Sequence, residues 1–109
     1  MQITGYRCMW VVAMFDLPVD TKAARQQYAL FRKFLLKDGF AMMQFSVYIR
    51  HCASRESADV HVQRIEKNVP PDGEVRVISI TDKQFERMHV FWGKRRKTPE
   101  QPPKQLEFF

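Results

Sequence analysis

The sequence predicts an α+β domain in which elements follow one another as β-α-β-β-α-β. Three observations carry that prediction. An apolar run from Arg7 to Phe15 is closed by Asp16-Leu17-Pro18. Two segments with apolar residues at helical spacing flank a long β-branched and aromatic stretch. A last β-branched run, Glu74 to Ile80, follows a Pro-Pro-Asp-Gly turn. Each helical segment has one apolar stripe, which fits two helices laid on one face of an antiparallel sheet.

The first run is short, continuous and ended by Pro18, which cannot extend a hydrogen-bonded ladder. It therefore reads as a central strand covered on both faces. Asp20 or Thr21 is placed to cap a helix from about Lys22 to Asp38, stopped by Gly39. Ala24, Tyr28, Phe31 and Leu35 fall at i, i+4, i+7 and i+11, a core-facing stripe. At about 100° per residue, Lys22, Arg25, Arg32, Lys33 and Lys37 fall in an arc of about 140° on the opposite side. Only Asp38 offsets them. Such a face is either ordinary solvated surface or a ridge that contacts phosphates.

Phe40 to Cys52 is too long for one ordinary strand and predicts two segments with a bend or bulge near Gln44 to Ser46. Ser54 is placed to cap a second helix, about Arg55 to Asn68, with a stripe of Ala58, Val62 and Ile65 extended by Val69. Val69-Pro70-Pro71-Asp72-Gly73 is a turn, and Glu74 to Ile80 the next strand. Thr81-Asp82-Lys83-Gln84 fits a capping box opening a short helical turn through Arg87. Met88 to Trp92 reads as a further short strand. From Gly93 the composition changes. A domain over 1–92 is expected, then a basic, Pro-rich linker over 93–105 that holds Lys94, Arg95, Arg96 and Lys97, then Leu106-Glu107-Phe108-Phe109. That last segment is too apolar for a free tail and is expected to pair, as a strand, with a sheet edge of its own chain or of a partner. The order is that of a ferredoxin-like sandwich, whose sheet leaves one face uncovered. With 13% aromatic residues, a second copy is the natural cover, and a homodimer is expected.

Composition bounds the function. A chain of 109 residues fits one domain, which excludes a multidomain enzyme with its own cofactor domain. At 45% hydrophobic residues it is too apolar for a disordered chain. No apolar run approaches the ~18 residues needed to cross a bilayer, and the start lacks a signal-peptide pattern. A cytoplasmic protein without a membrane partner is expected. The net charge of +6 points to a polyanion, and half of it lies in residues 93–109, with five Lys/Arg against two Asp/Glu. Cys8 and Cys52 match no zinc spacing and read as buried, reduced thiols. His51, His61 and His89 share no helix face and form no metal motif.

Asp16, at the exit of the central strand, is the one acidic residue placed where a catalytic group would be expected. Alone it reads as a turn-former before Leu17-Pro18, and a lone carboxylate binds Mg²⁺ poorly. A twofold axis near this strand end would change that, letting Asp16 and its symmetry mate share one Mg²⁺. Such a pair suits metal-assisted phosphodiester cleavage, although not a two-metal nuclease. There is no Gly-rich phosphate loop and no GxSxG. Ser46 has no His at a motif spacing, and a hydroxyl within a strand more often satisfies backbone at a bulge.

These residues together resemble the family of the second CRISPR-associated protein (Cas-two), the small companion of the CRISPR integrase. The matching features, in order along nearly the whole chain, are Trp10 to Phe15 closed by Asp16-Leu17-Pro18, Arg32 to Phe40, Gln44-Phe45-Ser46-Val47-Tyr48, and Thr81 to Met88. The last is typical of the longer members that accompany Cas-nine-type effectors. The resemblance implies a ferredoxin-like homodimer whose C-terminal strands, here Leu106 to Phe109, reach across to the partner. It implies bridging of two integrase (Cas-one) dimers, with prespacer duplex DNA laid on the basic face. It maps Asp16 onto the aspartate assigned to Mg²⁺, and places Phe15, Ser46, Val47 and Tyr48 beside that site. Some relatives are described as metal-dependent endonucleases on RNA or DNA. Three functions stay open: a DNA-bridging subunit of spacer integration, a free-standing Mg²⁺-dependent endonuclease, and a ferredoxin-like module for a small ligand. The last has no need of a basic ridge or a charged tail.

Overall fold

Residues 8–94 are described by the structure, a computed structural model. Along the chain run β1 (Met9–Asp16), α1 (Lys22–Lys37), β2 (Ala41–Gln44), β3 (Val47–Cys52), α2 (Arg55–Glu66), β4 (Glu74–Thr81) and the short α3 (Asp82–Glu86). The sheet order is β2-β3-β1-β4, and every neighbouring pair is antiparallel. This is the ferredoxin-like arrangement that the element order predicts, with β1 in the interior because it is the most continuously apolar strand.

The helices begin where side-chain oxygens can take up orphan N–H groups. Thr21 Oγ1 accepts from Ala24 N at 3.0 Å, and Ser54 Oγ from Ser57 N at 3.0 Å. The reciprocal box at Thr81 is complete: Gln84 N donates to Thr81 Oγ1 at 3.1 Å, and Thr81 N to Gln84 Oε1 at 2.9 Å. Helix α1 stops on Gly39, whose φ of +93° an L side chain resists, while Phe40 N returns to Leu35 O at 2.9 Å. Helix α2 ends at Glu66, short of the expected Asn68, and the Asn68 amide donates to Arg64 O at 2.8 Å as a cap.

Period-two alternation sorts β1 into two faces. Met9, Val11, Ala13 and Phe15 point to the helices and are buried with Tyr28, Phe31, Leu35, Ala58 and Ile65. Phe15 sits among aromatic rings, edge-on to Phe31 at 5.2 Å and stacked with Tyr48 at 5.6 Å. The α2 stripe is Ala58, His61 and Ile65, with Val62 only half-buried. His61 is 6% exposed and is made tolerable by a polar knot. Its Nδ1 donates to Asp38 Oδ2 at 2.7 Å, Arg64 Nη1 donates to Asp38 Oδ1 at 2.7 Å, and Arg50 Nε donates to the Asp38 carbonyl at 2.8 Å. Burial pushes the Asp38 carboxyl up, and the hydrogen bonds and charges of His61 and Arg64 more than reverse this, holding it below the usual carboxylate range.

Two sequence expectations change. Met88 to Trp92 form no strand: residues 88–93 have no regular structure and Phe91 is 87% exposed. The chain turns at Arg87, where α3 ends, and no described strand offers that segment a ladder. The bend falls where it is expected, with Phe45-Ser46 forming a tight hairpin connection, and a bulge between Met42 and Gln44 leads into it. Cys8 and Cys52 are both free, but only Cys52 is buried. The strand expected at Leu106 to Phe109 lies outside the described residues.

Candidate functional site

The outer face of β1 carries Trp10, Val12, Met14 and Asp16. Register places His51, Ile49 and Val47 of β3 beside the first three, and Ile80, Ile78, Arg76 and Glu74 of β4 beside all four. The centre of this face is apolar, with Ile78 50% exposed. Its two ends are polar. At the far end, α3 packs Phe85 on the Trp10 ring at 4.1 Å, and Trp10 Nε1 donates to Asp82 Oδ1 at 2.7 Å.

At the other end stands Asp16, the last residue of β1 and solvent-exposed. Alternation puts its carboxylate on the outer face, while Phe15 and Leu17 on either side turn inward at 7% and 8% exposure. Two backbone features hold this corner. Phe15 N donates to Ser46 O at 3.1 Å. Gly73, φ +93°, lets the turn before β4 pass so close that an added Cβ would lie 2.7 Å from the Asp16 carbonyl oxygen and 2.7 Å from Leu17 Cδ2.

Ser46 has a φ of +62°, in the left-handed region that a non-glycine residue enters only when held there. Its hydroxyl is hydrogen-bonded to Tyr28 Oη at 3.0 Å, which ties the hairpin to α1. Burial raises the pKa of the Tyr28 phenol, and the bond to Ser46 offsets part of that rise. Ser46 thus lies in the hairpin turn rather than in a strand, and its hydroxyl bonds a side chain instead of backbone; it holds the β1 exit through its own carbonyl, which accepts from Phe15 N. Tyr48 and Phe15 lie close to Asp16 in the chain fold but on the inner face. The wholly buried Tyr48 hydroxyl has no hydrogen-bond partner among the described residues.

Asp16 faces an open depression of about 320 Å³ lined also by Met14, Ser46, Val47, Glu74 and Arg76. Glu74 is directly opposite Asp16 in the β1–β4 register, and Arg76 Nε pairs with Glu74 Oε1 at 3.0 Å. Neither β4 residue stands out in the sequence, because finding them requires the register. The available hint is the polar–apolar alternation of Glu74-Val75-Arg76-Val77. Two carboxylates with hard oxygen donors suit Mg²⁺, which takes one or two carboxylates and completes its shell with water or phosphate oxygens. Among the described residues no group of three or more His, Cys, Asp or Glu could hold a metal. Asp16, with Glu74 beside it, offers carboxylate oxygens that could hold such an ion.

The basic arc of α1 is narrower than the helical wheel predicts. Lys22, Lys33 and Lys37 are exposed, but Arg25 and Arg32 border the core stripe and are half-buried. Arg25 Nη1 donates to Val19 O at 3.1 Å, and Arg32 Nε is buried without a partner among the described residues. The arc faces away from the sheet on the helix layer, so the fold does not bring it to Asp16 on the opposite face. Lys94 is exposed; Arg95, Arg96 and Lys97 lie outside the described residues.

Comparison with known proteins adds sequence and fold likeness. The family model described as CRISPR associated protein Cas2 matches residues 9–88. A protein named CRISPR-associated endoribonuclease Cas2 from Parvibaculum lavamentivorans is 60% identical over 93% of this chain and 100% of its own. One of the same name from Flavobacterium psychrophilum is 48% identical over 99% of this chain and 94% of its own. A solved structure titled "Crystal structure of cas2" superposes with a TM-score of 0.58 at 22% identity, covering 84% of this chain and 93% of that one. At that identity the likeness is one of fold.

Proposed function

Because the chain belongs to the CRISPR-associated Cas2 family, we propose that it acts in CRISPR spacer acquisition as a homodimer. In this reading the dimer bridges two integrase (Cas-one) dimers and holds prespacer duplex DNA. The observation that carries it is the segregation of the two sides of the domain. One side is an apolar sheet face with Ile78 half exposed and Ile49 partly exposed on it, suited to a second copy. The other carries the exposed Lys22, Lys33 and Lys37 of α1, suited to a phosphate backbone. The dimer doubles the chain's net charge of +6. Charge reversal at Lys22, Lys33 and Lys37 is the test. Duplex affinity at low salt should fall at least tenfold, and its salt dependence should weaken. An unchanged affinity in a folded dimer would remove the ridge from the function.

A second activity is supported by the exposed carboxylate of Asp16 facing Glu74 in an open depression. We propose that the Asp16 residues of both subunits support Mg²⁺-dependent cleavage of phosphodiester bonds in RNA or DNA, in keeping with the endoribonuclease name of the curated relatives. A bound Mg²⁺ supplies charge to a phosphate oxygen and acidity to a water. The chain's part is to fix the Asp16 carboxylate at the rim of a rigid strand, pinned through Phe15 to Ser46 and packed against Gly73. The Asp16 carboxylate is exposed and makes no hydrogen bond among the described residues, so Asp16→Asn should leave the fold intact and abolish metal-dependent cleavage. Cleavage that persists in the purified Asp16→Asn protein would assign the activity elsewhere. Spacer acquisition measured with the same variant shows whether the architectural role also draws on Asp16.

A further inference from the structure

We infer that Arg76 is the substrate-phosphate contact of the Asp16 site, and that Glu74 holds it in reserve until nucleic acid arrives. The inference rests on the reading that nucleic acid is engaged at this end of the sheet. It deepens that reading by naming the group that meets the backbone.

Among the described residues, Arg76 is the only cationic side chain lining the depression at Asp16. The register sets it beside Met14, two residues from Asp16 along the same outer row, and Glu74 directly beside Asp16. Directly opposed residues of an antiparallel pair have Cβ atoms about 4.5–5.5 Å apart, and like charges there are unfavourable. The Asp16–Glu74 juxtaposition is therefore a local cost, which Arg76 relieves by pairing with Glu74. That pairing uses Nε alone, at 3.0 Å. Both Nη groups have no hydrogen bond among the described residues, and a guanidinium presents a fork that matches two phosphate oxygens.

The pair is easy to exchange. Arg76 and Glu74 side chains are 72% and 62% exposed, and an ion pair so open to water contributes little to stability. A phosphodiester carries a full charge, and a bidentate bond to it is stronger than the single contact it replaces. Glu74 and the substrate thus compete for one cation.

Equilibrium binding of a labelled single-stranded RNA in chelator, followed by fluorescence anisotropy, tests this without any metal or turnover. Arg76→Gln should weaken binding about 5- to 10-fold and make the log–log salt slope shallower by about one. Glu74→Gln should tighten binding severalfold. The gain should vanish in the double variant, because without Arg76 there is nothing to release. A Glu74→Gln gain that persists in the Arg76→Gln background would reduce Glu74 to general repulsion and overturn its restraining role. Wild-type affinity and slope in Arg76→Gln would overturn the phosphate contact, and both substitutions lie on exposed side chains that leave folding unaffected. Asp16→Asn separates this inference from the nuclease reading. If it abolishes cleavage while Arg76→Gln binds as wild type does, the inference alone fails. If Asp16→Asn still cleaves, the site reading fails first.

Discussion

Replacing Gly73 with alanine should damage stability and the candidate site in one step. Gly73 has a φ of +93°, and its missing Cβ would lie 2.7 Å from the Asp16 carbonyl oxygen, 2.7 Å from Leu17 Cδ2 and 3.0 Å from Leu17 Cα. Two of these atoms are backbone at the β1 exit and cannot swing aside. The conformational strain is worth about 1–3 kcal/mol, and forcing the neighbouring chain outward a further ~1–3 kcal/mol. The expected loss is about 2–6 kcal/mol from a total that for small domains is about 5–15 kcal/mol. Gly39→Ala provides the internal control. Gly39 has the same φ of +93°, but the three atoms nearest its added Cβ all belong to the Arg50 side chain, with Nε at 2.9 Å, and none is backbone. It should carry the strain with little of the displacement, a loss of about 1–3 kcal/mol. Urea unfolding of both variants gives the two midpoints, and metal-dependent cleavage at a temperature where both remain folded reads the displacement of Asp16. If Gly73→Ala loses no more stability than Gly39→Ala and cleaves as wild type does, the close packing of Gly73 on Asp16 does not position the site.

Other expectations follow from the polar contacts. Asp38 has a depressed folded pKa, so its stabilising contribution is complete above the unfolded carboxyl value, about 3.9, and is lost as pH falls through the lower folded value. Asp38→Asn should cost about 2–3 kcal/mol at neutral pH and flatten the acid limb of the stability–pH curve; an acid limb identical to wild type would show that Asp38 does not set it. Tyr28→Phe removes the hydrogen bond to Ser46 and should cost about 1 kcal/mol by denaturant unfolding. Ser46→Gly loses the same bond but relieves a left-handed φ, so the two effects should nearly cancel; a cost for Ser46→Gly as large as for Tyr28→Phe would mean that the φ of +62° stores no strain. Asp82→Ala removes the acceptor of Trp10 Nε1 and should shift tryptophan emission to the red as α3 loosens; unchanged emission would mean that Phe85 stacking alone docks that helix.

Much of the fold was legible because local signals agreed with one another. Thr21, Ser54 and the Thr81–Gln84 box announce three helix starts, Gly39 a stop, and the Val69 to Gly73 turn the approach to β4. Asp16 was legible as a carboxylate at the end of the apolar strand. What escaped depends on partners distant in sequence. Glu74 and Arg76 join Asp16 only through the β1–β4 register. His61 enters the core only because Asp38, 23 residues earlier, is there to receive it, and helical spacing alone favours Val62. Arg25 and Arg32 sit on a wheel's polar arc, yet their long stems lie along the apolar stripe, a choice that charge counting does not capture. Met88 to Trp92 have the composition of a strand, but composition supplies no neighbour to pair with.

Asp38 joins three elements at once: it caps α1, accepts from His61 and Arg64 of α2, and is held through its carbonyl by Arg50 of β3. Ordinarily the last turn of a helix frays on its own and leaves the remainder undisturbed. Here, releasing the α1 terminus strips the acceptor from a buried imidazole and detaches a guanidinium from the sheet, so fraying is coupled to the departure of α2. Amide protons at the end of α1, along α2 and in the middle of β3 should therefore exchange with solvent at one common rate, as a single cooperative unit. The Asp16 corner is fastened separately, through the Tyr28–Ser46 bond and the close packing of Gly73.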